Sequence, residues 1–407
     1  MASFKCKTKD EIAPAILLTQ LIPPQRTFTL SGRETWNCAF SPDDTYFAWS
    51  CGNRIVVIVP WKYSSSLSWN EILPTESRHC YLKKPIILDT GYLVWSVAFG
   101  VVTCNRILKD HYIFWKRLCF SQDLILVTGH NNGRIRIWDV QTGNLILELV
   151  DHRSIVTDLS FSPDGSLILL SASYDGTLKL WDLNDNGNRF GTLSMNNKPI
   201  YSCAWSPNAK LMISVGMDKV AYIWDMITYC IKLKLEGHHY DIVACGFSPD
   251  SCLVATASWD TRAILWDAET GLMLKCFGHL YPPPHLIYAG GQNGTWIRGL
   301  SFSPDGSHFA TVADDGYLRF WDIFNDDDPE AVGIMEGALC CAYSASGQIL
   351  AVGTQNGSVS FWKASSCVTP LLHLCRINIR RKVQSKDLKK LKLPSRLLLY
   401  LQYCDLD

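Results

Sequence analysis

The sequence predicts an all-β chain, a radial ring of seven repeated β units followed by a small α-helical tail. Three observations predict it. Strands ending in Trp recur at Trp138, Trp181, Trp224, Trp266, Trp321 and Trp362, spaced 43, 43, 42, 55 and 41 residues apart. A second landmark recurs upstream, an aromatic followed by Ser, usually Pro, and a turn residue. It reads Phe40-Ser-Pro-Asp43, Phe161-Ser-Pro-Asp164, Trp205-Ser-Pro-Asn208, Phe247-Ser-Pro-Asp250, Phe302-Ser-Pro-Asp305 and, degraded, Tyr343-Ser-Ala-Ser346. Beyond Trp362 the strand pattern gives way to helical spacing and positive charge.

Size and charge agree with repetition. The chain has 407 residues, about three to four single-core domains. Lys plus Arg and Asp plus Glu both number 38, so the net charge is zero, and a protein built to grip nucleic acid carries a basic excess. At 47% apolar and 19% charged the chain is too apolar for disorder. No stretch approaches the ~20 apolar residues that span a bilayer. Asp10 and Glu11 ahead of Ala13–Leu18, with no cleavage site after it, fit a secretory signal poorly. The 16 cysteines are scattered without a C-x-x-C, which suits buried thiols in a reducing compartment and not a disulfide framework or zinc site. An intracellular protein is expected.

Each unit reads as short strands and tight turns. In the third, residues 155–161 mix apolar and polar positions, Ser-Pro-Asp-Gly makes a turn, and 167–173 is a buried run. Asp175-Gly176 makes the next turn, and Leu178 to Trp181 alternates with period two. Pro ends pairing and presets the turn, while Asp-Gly supplies the permissive backbone. One unit cannot bury both its faces, but several arranged radially can. The first unit comprises Trp36 to Phe40, Tyr46 to Ser50 and Arg54 to Val59, where Val59-Pro60 replaces Trp-Asp. Three interruptions are expected: 62–85 joining units one and two, 101–118 in the first turn of unit two, and 280–295 before Trp296. The domains that follow are an amino-terminal arm over 1–25, the ring over 26–364 and the tail over 365–407.

These residues resemble the WD-repeat family, which implies a seven-bladed WD-repeat β-propeller with four strands per blade. The resemblance implies that His152, Ser171, Asp175 and Trp181 form a buried hydrogen-bonded chain, with His238, Thr256 or Ser258, Asp260 and Trp266 as a second. Such groups are structural, not a Ser–His–Asp triad, because the set repeats at strand-turn spacing. It also implies that an amino-terminal strand closes the last blade, and Thr27-Phe-Thr-Leu-Ser-Gly-Arg-Glu is the segment expected to do so. The residue before the strand-turn Asp lines the narrow top in the family. Here that position reads Gly52, Asn131, Tyr174, Met217, Trp259, Asp314 and Gln355. Tyr174, Met217 and Trp259 form an apolar sector there, the expected target-binding surface.

The tail, residues 370–407, carries nine Lys or Arg and three Asp, 9 − 3 = +6. Leu371, Leu374, Cys375, Asn378 and Ile379 fall on one helical face, with His373, Arg376 and Arg380 on the other sides. Residues 397–401 read as a short closing helix. Composition alone allows a nuclear-localisation patch or a membrane-surface helix. The order Pro370-Leu371, Leu374-Cys375-Arg376 and Ile379 is similar to the SOCS box, which implies that Leu371, Leu374, Cys375 and Ile379 bind elongin C and through it elongin B. Leu393 and Pro394 align with the end of the box's cullin-selecting motif, which implies a cullin of the cullin-5 class, although the first Pro of that motif is missing.

Propeller and box in one chain resemble the family of WD-repeat and SOCS-box-containing proteins. The resemblance implies the substrate-recognition subunit of a cullin ubiquitin ligase, holding a target protein by the ring and elongins by the tail. The alternative is a scaffold whose tail packs on its own propeller. No P-loop, H-E-x-x-H or G-x-S-x-G occurs, and Asn325 to Asp328 lacks EF-hand spacing. No catalytic residue, metal site, cofactor, nucleic acid or membrane is expected.

Overall fold

The computed structural model describes residues 12–21, 33–52, 54–61, 85–101, 124–195, 197–279, 296–324, 328–364, 371–383, 385–391 and 393–403. Its strands form seven antiparallel sheets around one ring. Blade one comprises Cys38–Phe40, Tyr46–Ser50, Ile55–Pro60 and Ile86–Asp89, and blade two Val94–Val101, Leu124–His130, Arg134–Asp139 and Leu145–Val150. Blades three to five start at Val156, Ile200 and Ile242, and blades six and seven at Ile297 and Ala338. The first strand of each blade is innermost and packs against the first strand of its neighbour.

Local chemistry explains the landmarks. The landmark Ser is buried, and its hydroxyl donates to the turn residue two positions on: Ser162 to Asp164 at 2.8 Å, Ser206 to Asn208 at 2.7 Å, Ser248 to Asp250 at 2.6 Å. In blades two to six the Asp after the Trp takes backbone N–H groups into its carboxylate, as Asp225 does from Ile227 at 2.8 Å and Thr228 at 3.1 Å. Both are side-chain turns that stop one strand and start the next.

Ring closure differs from the expected one. The outer strand of blade seven is Leu17–Leu21, antiparallel to Val359–Lys363, and Ala13–Pro14 adds a parallel fifth strand to blade six. Residues 27–32 of the segment expected to close the ring lie outside the described residues, and the closing position is already filled. The ring therefore reaches into the expected 1–25 arm. An outer strand is half solvated, so its weak alternation does not single it out. The interruption at 62–85 also falls elsewhere: Ile86–Asp89 pairs with Ile55–Pro60, so it lies within blade one and not between blades one and two. Of the interruption expected at 101–118, Val101 ends the inner strand of blade two, and residues 102–118, 280–295 and 325–327 lie outside the described residues.

The core lies between blades. At the closure Phe47 and Trp49 of blade one meet Phe361 of blade seven, and Trp61 stacks on Phe361 at 4.7 Å. Trp61 is 2% exposed and also meets the rings of Phe40 and Phe47. Burying one such side chain contributes about 1.5–3 kcal/mol. Among the described cysteines, Cys38, Cys51, Cys203 and Cys252 are buried free thiols and Cys230 and Cys375 are exposed.

Candidate functional site

The two hydrogen-bonded chains are present. Asp175 Oδ2 lies 2.9 Å from His152 Nδ1, His152 Nε2 lies 2.7 Å from Ser171 Oγ, and Trp181 Nε1 donates to the same hydroxyl at 2.9 Å. In blade five Thr256, and not Ser258, takes the third place, 2.8 Å from His238 Nε2 and 2.9 Å from Trp266 Nε1. Burial holds His152 below its usual range, and the hydrogen bonds of His152, Thr177 and Arg153 N–H lower Asp175 despite its burial. A neutral imidazole on a carboxylate results. Ser171 is wholly buried and already engaged, so the set braces the blade and has no access to a substrate. Partial chains that the sequence reading missed brace blade two through Thr128, His130 and Trp138 and blade six through His279, Thr311 and Trp321.

The top of the ring is built by a register shift that recurs. In blades two to seven the inner strand slips at its start, at Val94/Ser96, Val156/Asp158, Ile200/Ser202, Ile242/Ala244, Ile297/Gly299 and Ala338/Cys340. Such a bulge re-aims the extra side chain, here Trp95, Thr157, Tyr201, Val243, Arg298 and Leu339. The residue before each turn Asp is tied beside it: Tyr174 N donates to Ile155 O at 2.9 Å, Met217 N to Pro199 O at 3.0 Å and Trp259 N to Asp241 O at 3.0 Å.

Of the three expected target-binding residues, Tyr174 and Trp259 join one aromatic row through Tyr201, and Met217 is 48% exposed. Tyr174 and Tyr201 rings lie 5.4 Å apart, Tyr201 and Trp259 5.8 Å, and Trp259 stacks on Trp296 at 5.1 Å. Tyr201, Trp296 and Arg298 were not singled out from sequence. Their signal was available at a fixed offset from each repeat's landmark.

The tail forms helices α1 (Leu371–Arg380), α2 (Ser385–Leu388) and α3 (Ser395–Leu401). Helix α1 lies on the lower edge of blades five and six with its polar side inward. His373 Nε2 is 3.1 Å from the Asp305 carbonyl, and its ring meets Phe324 edge-on at 4.7 Å. The wholly buried Arg376 guanidinium lies 3.4 Å from the Tyr400 ring centre, 4.4 Å from Tyr403 and 4.9 Å from Phe324. Arg380 Nε donates to Cys252 Sγ at 3.0 Å, and Tyr403 donates its hydroxyl to Asp250. Burial lowers His373 from its usual range, so it docks neutral. Gly306, at φ +67°, keeps the turn clear: a side chain there meets Pro249 and Ile377.

The outward side of α1 is the apolar one. Leu374 is 46% exposed, Leu372, Cys375 and Asn378 are exposed, and Ile379 is half-buried. Leu371 opens the helix, its side chain outside the described residues. Leu397 and Leu399 of α3 are exposed as well. Leu393 is half-buried and Pro394 exposed at the start of α3, where the Pro394 carbonyl accepts from Leu397 and Leu398 N–H at 3.0 and 3.1 Å. Among the described residues no three His, Cys, Asp or Glu gather to hold a metal, and no helix is long and apolar enough to cross a membrane.

Known proteins share both parts. The WD domain, G-beta repeat, matches residues 143–182, 187–225, 229–267, 284–322 and 333–363. The human WD repeat and SOCS box-containing protein 1 is 47% identical over 99% of this chain and all of its own length. The Xenopus tropicalis protein of that name is 46% identical over 99% of both chains. This chain belongs to the WD repeat and SOCS box-containing protein family. A chain from the crystal structure of the mitotic checkpoint complex superposes with a TM-score of 0.63 at 18% identity, over 90% of this chain and all of that one, which shows the propeller fold alone. Membership in the WD repeat and SOCS box family makes α1–α3 the box and the seven sheets the WD-repeat ring.

Proposed function

We propose that this protein is an intracellular substrate receptor of a cullin–elongin B/C ubiquitin ligase. Helix α1 binds elongin C through Leu371, Leu374, Cys375 and Ile379, Leu393 and Pro394 face a cullin of the cullin-5 class, and the ring top holds the target. The observation that supports this reading is the orientation of α1: its polar side is sealed on blades five and six, and its apolar side is exposed. One buried leucine contributes about 1.5–3 kcal/mol, so a few anchors of this kind dominate a small interface. The contribution to ubiquitination is tethering, which raises the effective concentration of target lysines. No bond chemistry falls to this chain.

A second reading, a scaffold whose tail clamps its own ring, draws on the docking of His373, Arg376 and Arg380. That docking uses the side of α1 opposite the elongin-binding one, so the two readings do not compete for residues. Co-expression with elongins B and C separates them. The receptor co-purifies with both and the Leu371→Asp/Leu374→Asp variant with neither. A wild-type chain that fails to retain elongins sinks the receptor reading.

A further inference from the structure

We propose that the corner formed by Tyr201, Asp241 and Trp259 on the ring top receives a lysine or arginine side chain of the bound target. The inference rests on the reading of that surface as the target-binding one, and deepens it. It comes from two neighbouring corners of the same make. In the first, Trp259 and Trp296 stack, and the Arg298 guanidinium carbon lies 5.9 and 5.7 Å from their ring centres. Asp314 meets the charge of Arg298 with two oxygens, at 2.6 to 2.9 Å. Aromatic faces attract the cation and the carboxylate neutralises it. That corner is complete within the chain.

The second corner lies one blade back and has the same groups except the cation. Tyr201 leans on Trp259 at 5.8 Å and on Tyr174 at 5.4 Å. Its hydroxyl donates to Asp241 Oδ2 at 3.3 Å, and Trp259 N–H holds the Asp241 carbonyl at 3.0 Å. Asp241 is half-buried, and among the described residues it forms no ion pair. The nearby cations are used elsewhere: Lys198 binds Asp218 at 2.6 Å, and Lys219 lies over the Tyr240 ring at 5.3 Å. A carboxylate flanked by aromatic faces favours a cationic side chain over a neutral one of equal shape and disfavours an anionic one.

The test uses the full chain labelled with fluorotryptophan and read by fluorine NMR, the Trp259 signal identified by its loss in Trp259→Phe. The probes are blocked Ser-Leu-Arg-Leu-Ser peptide and its citrulline counterpart, which keeps the shape and lacks the charge. The arginine peptide shifts the Trp259 signal saturably and binds about tenfold more tightly than the citrulline peptide. Asp241→Asn removes that preference and leaves the Trp296 signal of the neighbouring corner in place. Equal binding of the two peptides, no shift with either, or a preference that survives Asp241→Asn overturns the proposal. Target capture tells the two readings apart. Loss on Trp259→Ala without loss on Asp241→Asn keeps the ring top as the target surface and removes the cation from it.

Discussion

The ring and helix α1 of the tail differ in what they turn inward. In the ring, apolar residues of adjacent blades meet, and polar groups enter the core in closed sets such as Asp175–His152–Ser171–Trp181. In α1 the positions turned to the protein are His373, Arg376, Ile377 and Arg380, three of the four polar, while Leu374 and Cys375 face away. A guanidinium between aromatic rings keeps favourable contacts when taken from water, so the polar side can serve as the mount. The apolar side of α1 then stays available for another protein. The largest effect comes from breaking this division. Leu371→Asp/Leu374→Asp abolishes elongin co-purification and leaves the ring's thermal unfolding unchanged. A drop in melting temperature of several degrees instead places those leucines against the ring.

The ring side is sharpened by Ser171→Ala. Removing one hydroxyl strands His152 Nε2 and Trp181 Nε1 in a buried site, at a cost of about 1–3 kcal/mol. Calorimetry shows the ring melting earlier, while elongin co-purification persists. A cost near zero means that water or relaxation replaces the hydroxyl and that the chain does not brace blade three.

Blade number was legible because turn chemistry repeats. The Ser–Asp contacts and the Asp after Trp are short-range, so one or both leave a mark in the sequence at most blades. The closing strand was not, because Leu17–Leu21 is half solvated and pairs with residues some 340 positions away, a partnership no local pattern encodes. In the tail, helical spacing sorted Leu374, Cys375, Asn378 and Ile379 from His373, Arg376 and Arg380 correctly. It could not tell which set meets the ring, since that depends on Phe324, Asp305 and Cys252 in distant turns. At the top, Tyr174 and Trp259 were legible from their place before the turn Asp. The residue that links them, Tyr201, stands at a fixed offset before its landmark, and the bulge in the register explains why that offset reaches the top.

Arg376→Ala tests the mount itself. Losing the contacts to Tyr400, Tyr403 and Phe324 weakens the seat of α1 by about 1–2 kcal/mol. Amide exchange in α1 then rises about tenfold while the amides of the inner strands hold. Elongin binding persists, because the outward side is untouched. Exchange that rises throughout blades five and six instead makes Arg376 part of the ring's core and erases the distinction between mount and ring.

The smallest effect is a pH dependence. Asp158 of blade three accepts from Ser202 Oγ at 2.7 Å and Cys203 N–H at 3.0 Å of blade four. Burial pushes its carboxyl from 3.8 to about 6. The folded state therefore holds a proton that the unfolded chain has released, over the window between about pH 4 and pH 6. The contribution of Asp158 to stability is full below about pH 4, falls as pH rises to 6, and is flat above. Its size is on the order of 1 kcal/mol. Buried neutral histidines act in the opposite sense. His152 in the ring and His373 in the tail have lowered values, so both sites gain stability as pH rises towards 6.5. The Asp158→Asn variant isolates the carboxyl. Subtracting its stability from that of wild type leaves a difference that declines from pH 4 to pH 6. A difference that is flat over that window and changes only below about pH 4 shows that the hydrogen bonds of Ser202 and Cys203 outweigh burial and hold Asp158 ionised.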